Sequence, residues 1–418
     1  MLDKCLSLTF EVIKKILFNV PSLAKFLRST FFTMLAYLVY KRFLVLVKHK
    51  NPKELVYKST PSNTSLINAM SPLDYTPSFF IPNYIAQAAY SELLNVQQTY
   101  FKREYILNPF DNGVISLDWA KSYSYSYSNL INKSEYTRKE SINIYTNTCN
   151  NKGNKNFNNT QAKFRKMSSI NSASNISENN KDYLSKNYDK LLMIVHGLSG
   201  GSDQLYIRDI VDSFKNEYTV VVIHARGIND TPLNNPIMYH AGFTHDVKFA
   251  IEYIRDNYNF KYRFLIGISM GANLTYKLLA NDRSFDNYLT GFINISNFFH
   301  QLSAYIVNNG SLVDTFLLKG KKENLIKHQQ IVRCNKLLNI DKALNAKTIR
   351  DFDNEIICKI HGFEDTEDYY RKTESGPDID KLKCIKTLIL VAKDDPIVFL
   401  FPKDILKSNN SNYLNINI

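Results

Sequence analysis

The sequence predicts an α/β architecture, a mostly parallel sheet with helices on both faces, and three observations predict it. Short apolar runs at 191–195, 219–223, 264–268, 291–295 and 387–392 alternate with helical patterns near 203–216, 244–258 and 271–281. That rhythm builds parallel strands joined by crossover helices. A Gly-x-Ser-x-Gly, Gly267-Ile268-Ser269-Met270-Gly271, sits where a strand-like run meets a helix-like one. Chemistry-bearing residues, His196, Ser269 and Asp395, fall just past the ends of these runs, where ligands bind in open α/β sheets.

Each element has its own reason. Residues 263–266 read as a short buried strand, and 272–279 carry apolar positions at helical spacing. A serine on the sharp turn between them needs small neighbours two positions before and after, because the backbone there is strained and crowded. The turn then holds the hydroxyl clear of the sheet. Before the regular part, 114–119 reads as an early edge strand. The stretch 297–350 breaks the rhythm with mixed helical patterns and suits a cap between the later strands.

Charge sits in two appendages. The chain of 418 residues carries +13. Residues 1–53 hold ten Lys and Arg against two acids, and residues 122–187 hold ten against four. The remainder sums to −1, so it has no basic face for nucleic acid. Within 122–187, fifteen of sixty-six positions are Asn, a composition that buries too little apolar surface to offset chain entropy. It is expected to be a disordered insertion. In the N-terminal appendage, 31–40 and 43–47 are apolar, interrupted and flanked by Lys and Arg. A tilted span or an in-plane amphipathic anchor explains it equally, and membrane association through a single N-terminal anchor is expected. The domain expectation is therefore an anchor region 1–53, one folded domain in two segments, 54–121 and 188–418, and the insertion 122–187.

Five scattered cysteines form no C-x-x-C pair, and neither a zinc-ligand spacing nor a glycine-rich phosphate loop occurs, so no metal or cofactor is expected. Ser269 is the candidate nucleophile, and it requires a base and an orienting acid. Asp395 follows the last clear apolar run and is the chosen acid, with Asp394 as the alternative. The backbone N–H groups of Leu198 and Met270 are the candidate oxyanion donors. His196 reads as a structural element of its loop.

These residues carry a resemblance. His196-Gly197-Leu198-Ser199-Gly200-Gly201-Ser202 with Tyr206, Ala225-Arg226-Gly227 with Thr231-Pro232-Leu233, Thr244 with Asp246, and Gly267 through Asn273 resemble the YheT-like branch of the α/β-hydrolases. Phe352-Asp353, Gly362-Phe363, Asp368-Tyr369-Tyr370, Asp394-Asp395-Pro396, Arg103-Glu104 and Leu117-Asp118-Trp119 extend it over most of 79–121 and 188–418. The resemblance implies an α/β-hydrolase fold and a serine esterase or lipase acting on acyl esters, lipids foremost. It also places the catalytic histidine in a Gly-Gly-His motif beyond the strand that follows the acid. Here 412–418 reads as the start of that strand, and no histidine follows Asp395. A sequence that stops short of its base is favoured over a hydrolase that has lost it, since losing a strand and a helix would destabilise the domain. Two other readings stand beside it, an alcohol acyltransferase and a non-catalytic lipid-binding or scaffold protein.

Overall fold

In the computed structural model the described residues are 54–57, 61–70, 99–121, 189–392, 395, 397 and 413–417, with eight positions between 30 and 40. The Asn-rich insertion, Asp394 and most of the N-terminal apolar segment lie outside them. The chain divides into two compact units, Met1–Lys53 with Ser71–Tyr90, and Glu54–Met70 with Ser91–Ile418. In the first unit the described positions between 30 and 40 are helical and exposed. Among the described residues no helix is long and apolar enough to cross a membrane.

The second unit is built on one nine-stranded sheet. Its elements are β1 (Glu54–Tyr57), α1 (Pro61–Met70), β2 (Phe101–Leu107), β3 (Val114–Ala120), β4 (Lys190–Val195), α2 (Leu205–Phe214), β5 (Thr219–His224), α3 (Thr244–Asn257), β6 (Tyr262–Ile268), α4 (Met270–Asn281) and β7 (Gly291–Ile295). After β7 come helices α5 (Gln301–Asn308), α6 (Leu312–Val332), α7 (Ile340–Leu344), α8 (Ile349–Glu355), α9 (Ile357–His361) and α10 (Thr366–Thr373), then β8 (Thr387–Val391) and β9 (Tyr413–Asn417). The strand order is β1-β9-β8-β7-β6-β4-β5-β3-β2. Strands β4 to β9 run parallel, and β1, β2 and β3 each pair antiparallel with their neighbours. This is the α/β-hydrolase arrangement, and the expected fold class holds.

The alternation of side chains along each strand splits the core in two. Leu191, Met193 and Val195 of β4, with Val221 and Ile223 of β5, pack in one cluster with α3, α4 and the later helices. Leu192 and Ile194, with Val220 and Val222, pack in the other against Ile207 and Val211 of α2. Both faces are therefore covered. Helix α4 has ten of its twelve residues buried, because helices and cap enclose it on the side away from the sheet.

Two expectations change. The segment 114–119 lies one place in from the edge; β2 is the edge strand. Its charged residues disguise it in sequence, but they are paired. Arg103 sits directly opposite Asp118 in the register and bonds both carboxylate oxygens at 2.6 and 2.7 Å. Glu104 accepts from Trp119 Nε1, Tyr253 and Tyr258 at 2.9, 2.5 and 3.0 Å. The helical insertion after β7 also continues past 350 to Thr373. Its later helices are short and capped by Thr348 and Asp365, a pattern that local hydrophobic periodicity registers poorly.

Candidate active site

Ser269 closes β6 and serves as the N-cap of α4 with φ 54° and ψ −116°. An L-residue rarely adopts this backbone; strain of this kind costs on the order of 1–3 kcal/mol and persists only where its surroundings fix it. The surroundings do so here. Its N–H donates to Ile295 O of β7 at 2.8 Å, and its carbonyl accepts from Asn273 N–H at 3.1 Å. Glycine at the flanking positions is a steric demand. A Cβ on Gly267 would come 2.1 Å from Thr275 Oγ1, and one on Gly271 would come 2.4 Å from the carbonyl oxygens of both Val195 and His196. No described residue hydrogen-bonds the Ser269 hydroxyl.

The loop after β4 arrives beside it. A Cβ placed on Gly197 would lie 3.3 Å from the Ser269 Cβ. Gly197 N–H donates to the Tyr206 hydroxyl at 3.2 Å and Ser199 N–H to the Tyr239 hydroxyl at 3.0 Å. The Leu198 N–H between them has no acceptor among the described residues. Met270 is the first residue of α4, so its N–H has no intrahelical acceptor and lies at the positive end of the helix dipole. Two donors at this position can hold developing negative charge on an acyl oxygen.

Behind the loop stands a buried polar network. Asp118 also accepts from Ser202 Oγ at 2.5 Å, and Asn229 Nδ2 donates to that same hydroxyl at 3.0 Å. Burial raises the Asp118 pKa, but the Arg103 bonds and His224 outweigh it, and the carboxyl is held far below the usual carboxylate range. His224 Nε2 lies 3.1 Å from Asp118 Oδ2.

Arg226, fully buried after β5, bonds Asp246 at 2.8 and 2.6 Å and Asp111 at 2.5 and 3.1 Å. It joins the β2–β3 turn to the first turn of α3. Of six non-glycine residues with positive φ among the described residues, Ser199, Asn229, Asp230, Ser269 and Ser296 lie in the segments that follow parallel strands. Strain thus concentrates at the carboxyl edge of the sheet.

Asp395 follows β8 on that edge. Its Oδ1 accepts from Ile397 N–H at 2.8 Å, and its own N–H donates to Ala392 O at 3.3 Å. Strand β8 is two places from β6, which puts the two strands about 10 Å apart. Asp395 and Ser269 thus follow strands two places apart on the same edge of the sheet.

His196 is buried, and its Nδ1 lies 2.7 Å from Gly197 O. A carbonyl only accepts, so Nδ1 carries the proton and Nε2 accepts from Ala225 N–H at 3.4 Å. Burial, with the neighbouring His224, lowers its pKa to about 3. This is a histidine that braces a loop. His328 donates from Nε2 to Gly227 O at 2.7 Å, and burial lowers its pKa to about 4. His240 and His361, with ring centres 4.2 Å apart, are also lowered by burial. The described residues contain no grouping of three His, Cys, Asp or Glu side chains able to hold a metal ion.

These histidines set an acid limit. Native pKa values lie below 6.5, so between about pH 6.5 and 4 the unfolded chain binds more protons and stability falls as pH falls. His196 and His328 each contribute about 1.4 kcal/mol per pH unit in that window. The urea midpoint is expected to drop clearly between pH 7.5 and pH 5; equal midpoints would contradict neutral buried imidazoles.

Sequence reading located the serine turn, the loop after β4 and Asp395 just past a strand. It did not find the supporting contacts of Tyr239 or Asn229, which lie in irregular segments and meet the loop only over long range.

No family model matches the chain. A monoacylglycerol lipase of Saccharomyces cerevisiae is 30% identical over 230 residues, 52% of this chain and 51% of the relative. YheT of Escherichia coli is 27% identical over 210 residues, 50% of this chain and 62% of its own length. The chain thus matches about half the length of these curated relatives. Among solved structures, a Pyrococcus furiosus esterase aligns at 12% identity over 77% of this chain and 83% of its own, with a TM-score of 0.39. That overlap is loose, and the strand order and the serine turn carry the fold.

Proposed function

Fold and sequence make the chain an α/β-hydrolase of the YheT-like kind, and from that premise we propose that it is a serine hydrolase of acyl esters, lipid esters foremost. One observation carries the reading: Ser269 sits strained, its hydroxyl bonded by no described residue, between Met270 at the start of α4 and the Leu198 loop. Names among the relatives, monoacylglycerol lipase above all, support lipid esters as the substrate class.

In this mechanism Ser269 Oγ attacks the ester carbonyl, and its proton passes to a base. The carbonyl oxygen becomes an oxyanion facing the Leu198 and Met270 N–H groups. Collapse releases the alcohol, which takes the proton, and leaves an acyl-serine that water hydrolyses by the same steps. Asp395 orients the base. No histidine follows Asp395 in this sequence, and none of the described histidines bonds Ser269. Association with a membrane through 1–53 is part of the same proposal.

The test is covalent labelling of the protein expressed from its own gene with a fluorophosphonate probe. Wild type is expected to label and Ser269→Ala to lose the label. No labelling of wild type, or equal labelling of the variant, sinks the enzyme reading and leaves the lipid-binding or scaffold alternative.

A further inference from the structure

The two candidate oxyanion donors are held in different ways. Met270 belongs to α4, and the helix fixes its N–H. Leu198 lies on a loop, so the direction of its N–H depends on what holds its neighbours. The chain makes a four-residue turn there, with Gly200 N–H donating to Gly197 O at 3.3 Å. Ser199, third in that turn, has φ 54°, a backbone for which glycine or asparagine is the ordinary choice. A serine keeps it only where the surroundings impose it.

Two tyrosine hydroxyls impose it. Tyr206 Oη accepts from Gly197 N–H at 3.2 Å, and Tyr239 Oη accepts from Ser199 N–H at 3.0 Å. These are the amides immediately before and after Leu198. The turn is moulded to the first hydroxyl: a Cβ would lie 3.4 Å from Tyr206 Oη if placed on Gly197, and 2.7 Å if placed on Gly200. The two tyrosines come from opposite faces of the sheet. Tyr206 is on the first turn of α2, whose Ile207 and Val211 pack on one face, and Tyr239 is buried in the core on the other. Helix α6 packs against the same turn, since a Cβ on Gly320 would sit 3.2 Å from Ser199 Oγ.

Each backbone N–H has one proton to donate. With the Gly197 and Ser199 protons taken, the Leu198 N–H between them is the donor left for an incoming oxygen. Its own peptide plane is held as well. Gly197 O, at the other end of that planar group, accepts from His196 Nδ1 at 2.7 Å and from Gly200 N–H. Donors fixed in this way need not reorient as charge develops on the acyl oxygen.

We propose that Tyr206 and Tyr239 are positioning residues for the oxyanion: their hydroxyls take the two amides that flank Leu198 and so aim its N–H at the oxygen of the ester carbonyl attacked by Ser269. The assignment rests on the hydrolase reading.

The test is steady-state hydrolysis of p-nitrophenyl butyrate by the full chain expressed from its own gene. Tyr206→Phe and Tyr239→Phe keep the ring and remove the hydroxyl. Each is expected to lower kcat about tenfold with KM unchanged. That is less than the ~10²–10³ lost when an oxyanion donor is removed outright, because the amide stays but is aimed less well. The inhibition constant of an alkyl trifluoromethyl ketone, whose hemiketal oxygen takes the place of the oxyanion, should rise by the same factor. Tyr276→Phe is the control. Its buried hydroxyl donates to Ile379 O at 3.0 Å, between α4 and the segment before β8, and kcat should not change. A kcat within about twofold of wild type in both variants, a raised KM with kcat unchanged, or an equal fall in Tyr276→Phe overturns the proposal. Tyr206 is 36% exposed, and its variant decides alone if near-ultraviolet circular dichroism shows that loss of the buried Tyr239 hydroxyl unfolds the chain. A wild type that neither hydrolyses the ester nor takes a fluorophosphonate label sinks the hydrolase reading and this assignment with it. An active wild type with unchanged variants sinks the assignment alone.

Discussion

Gly271→Ala is expected to destabilise the second unit by about 3 kcal/mol and to abolish labelling of Ser269. The added methyl would lie 2.4 Å from two carbonyl oxygens, those of Val195 and His196. Neither is the end of a flexible side chain; both belong to the end of β4 and the loop it feeds. Relief requires α4 to lift from the sheet, which moves the Met270 amide, or the β4 loop to retreat, which moves Leu198. Either shift also relaxes the backbone that holds Ser269 at φ 54°. Gly291→Ala is the control, because its Cβ would meet the ring of Phe264 at 3.3 Å, which can turn, and the Lys386 carbonyl oxygen at 3.6 Å, an ordinary contact. Urea denaturation and fluorophosphonate labelling of both variants decide the matter. A Gly271 variant as stable and as reactive as the Gly291 variant would show that the turn tolerates a side chain.

Arg226→Met is expected to cost about 3–5 kcal/mol. The guanidinium is fully buried, forks onto Asp246 and Asp111, and stacks 4.6 Å from the Phe243 ring centre. Burial alone would lower its pKa, but the bonds and charges of the two carboxylates raise it well above the ordinary arginine value, so it stays charged throughout. Methionine keeps much of the volume but leaves two carboxylates facing each other without a cation. Arg226→Lys keeps the charge and loses the planar fork, since one ammonium cannot serve both carboxylates with parallel bonds; its loss should be intermediate. Calorimetric or urea-based stability of the two variants checks the order. Equal stability of wild type and the methionine variant would mean that the pair contributes nothing net.

Both predictions rest on residues that the sequence singled out for different reasons. Gly271 was legible because the crowding of a strand-to-helix turn is local: five residues suffice to demand glycine at two of them. Arg226 was legible only as part of a resemblance. Its partners lie at 111 and 246, and no spacing rule links three positions so far apart. Arg103 and Glu104 show the same limit. On sequence alone their charges obscure an edge strand, and only the register that places Arg103 opposite Asp118 turns them into the pairing that holds β2 to β3.

Local patterning thus settled the strand and helix rhythm, the serine turn, the position of Asp395 after β8 and the strand at 413–417. Each follows from backbone preference and hydrophobic periodicity within a dozen residues. Long-range packing decided the strand order, the bracing role of His196, the extension of the cap to Thr373 and the two-faced character of α6. These depend on which distant surfaces exclude water from one another. Leu318 and Leu312 are the same residue type six positions apart on one helix, and only packing distinguishes the buried one from the exposed one.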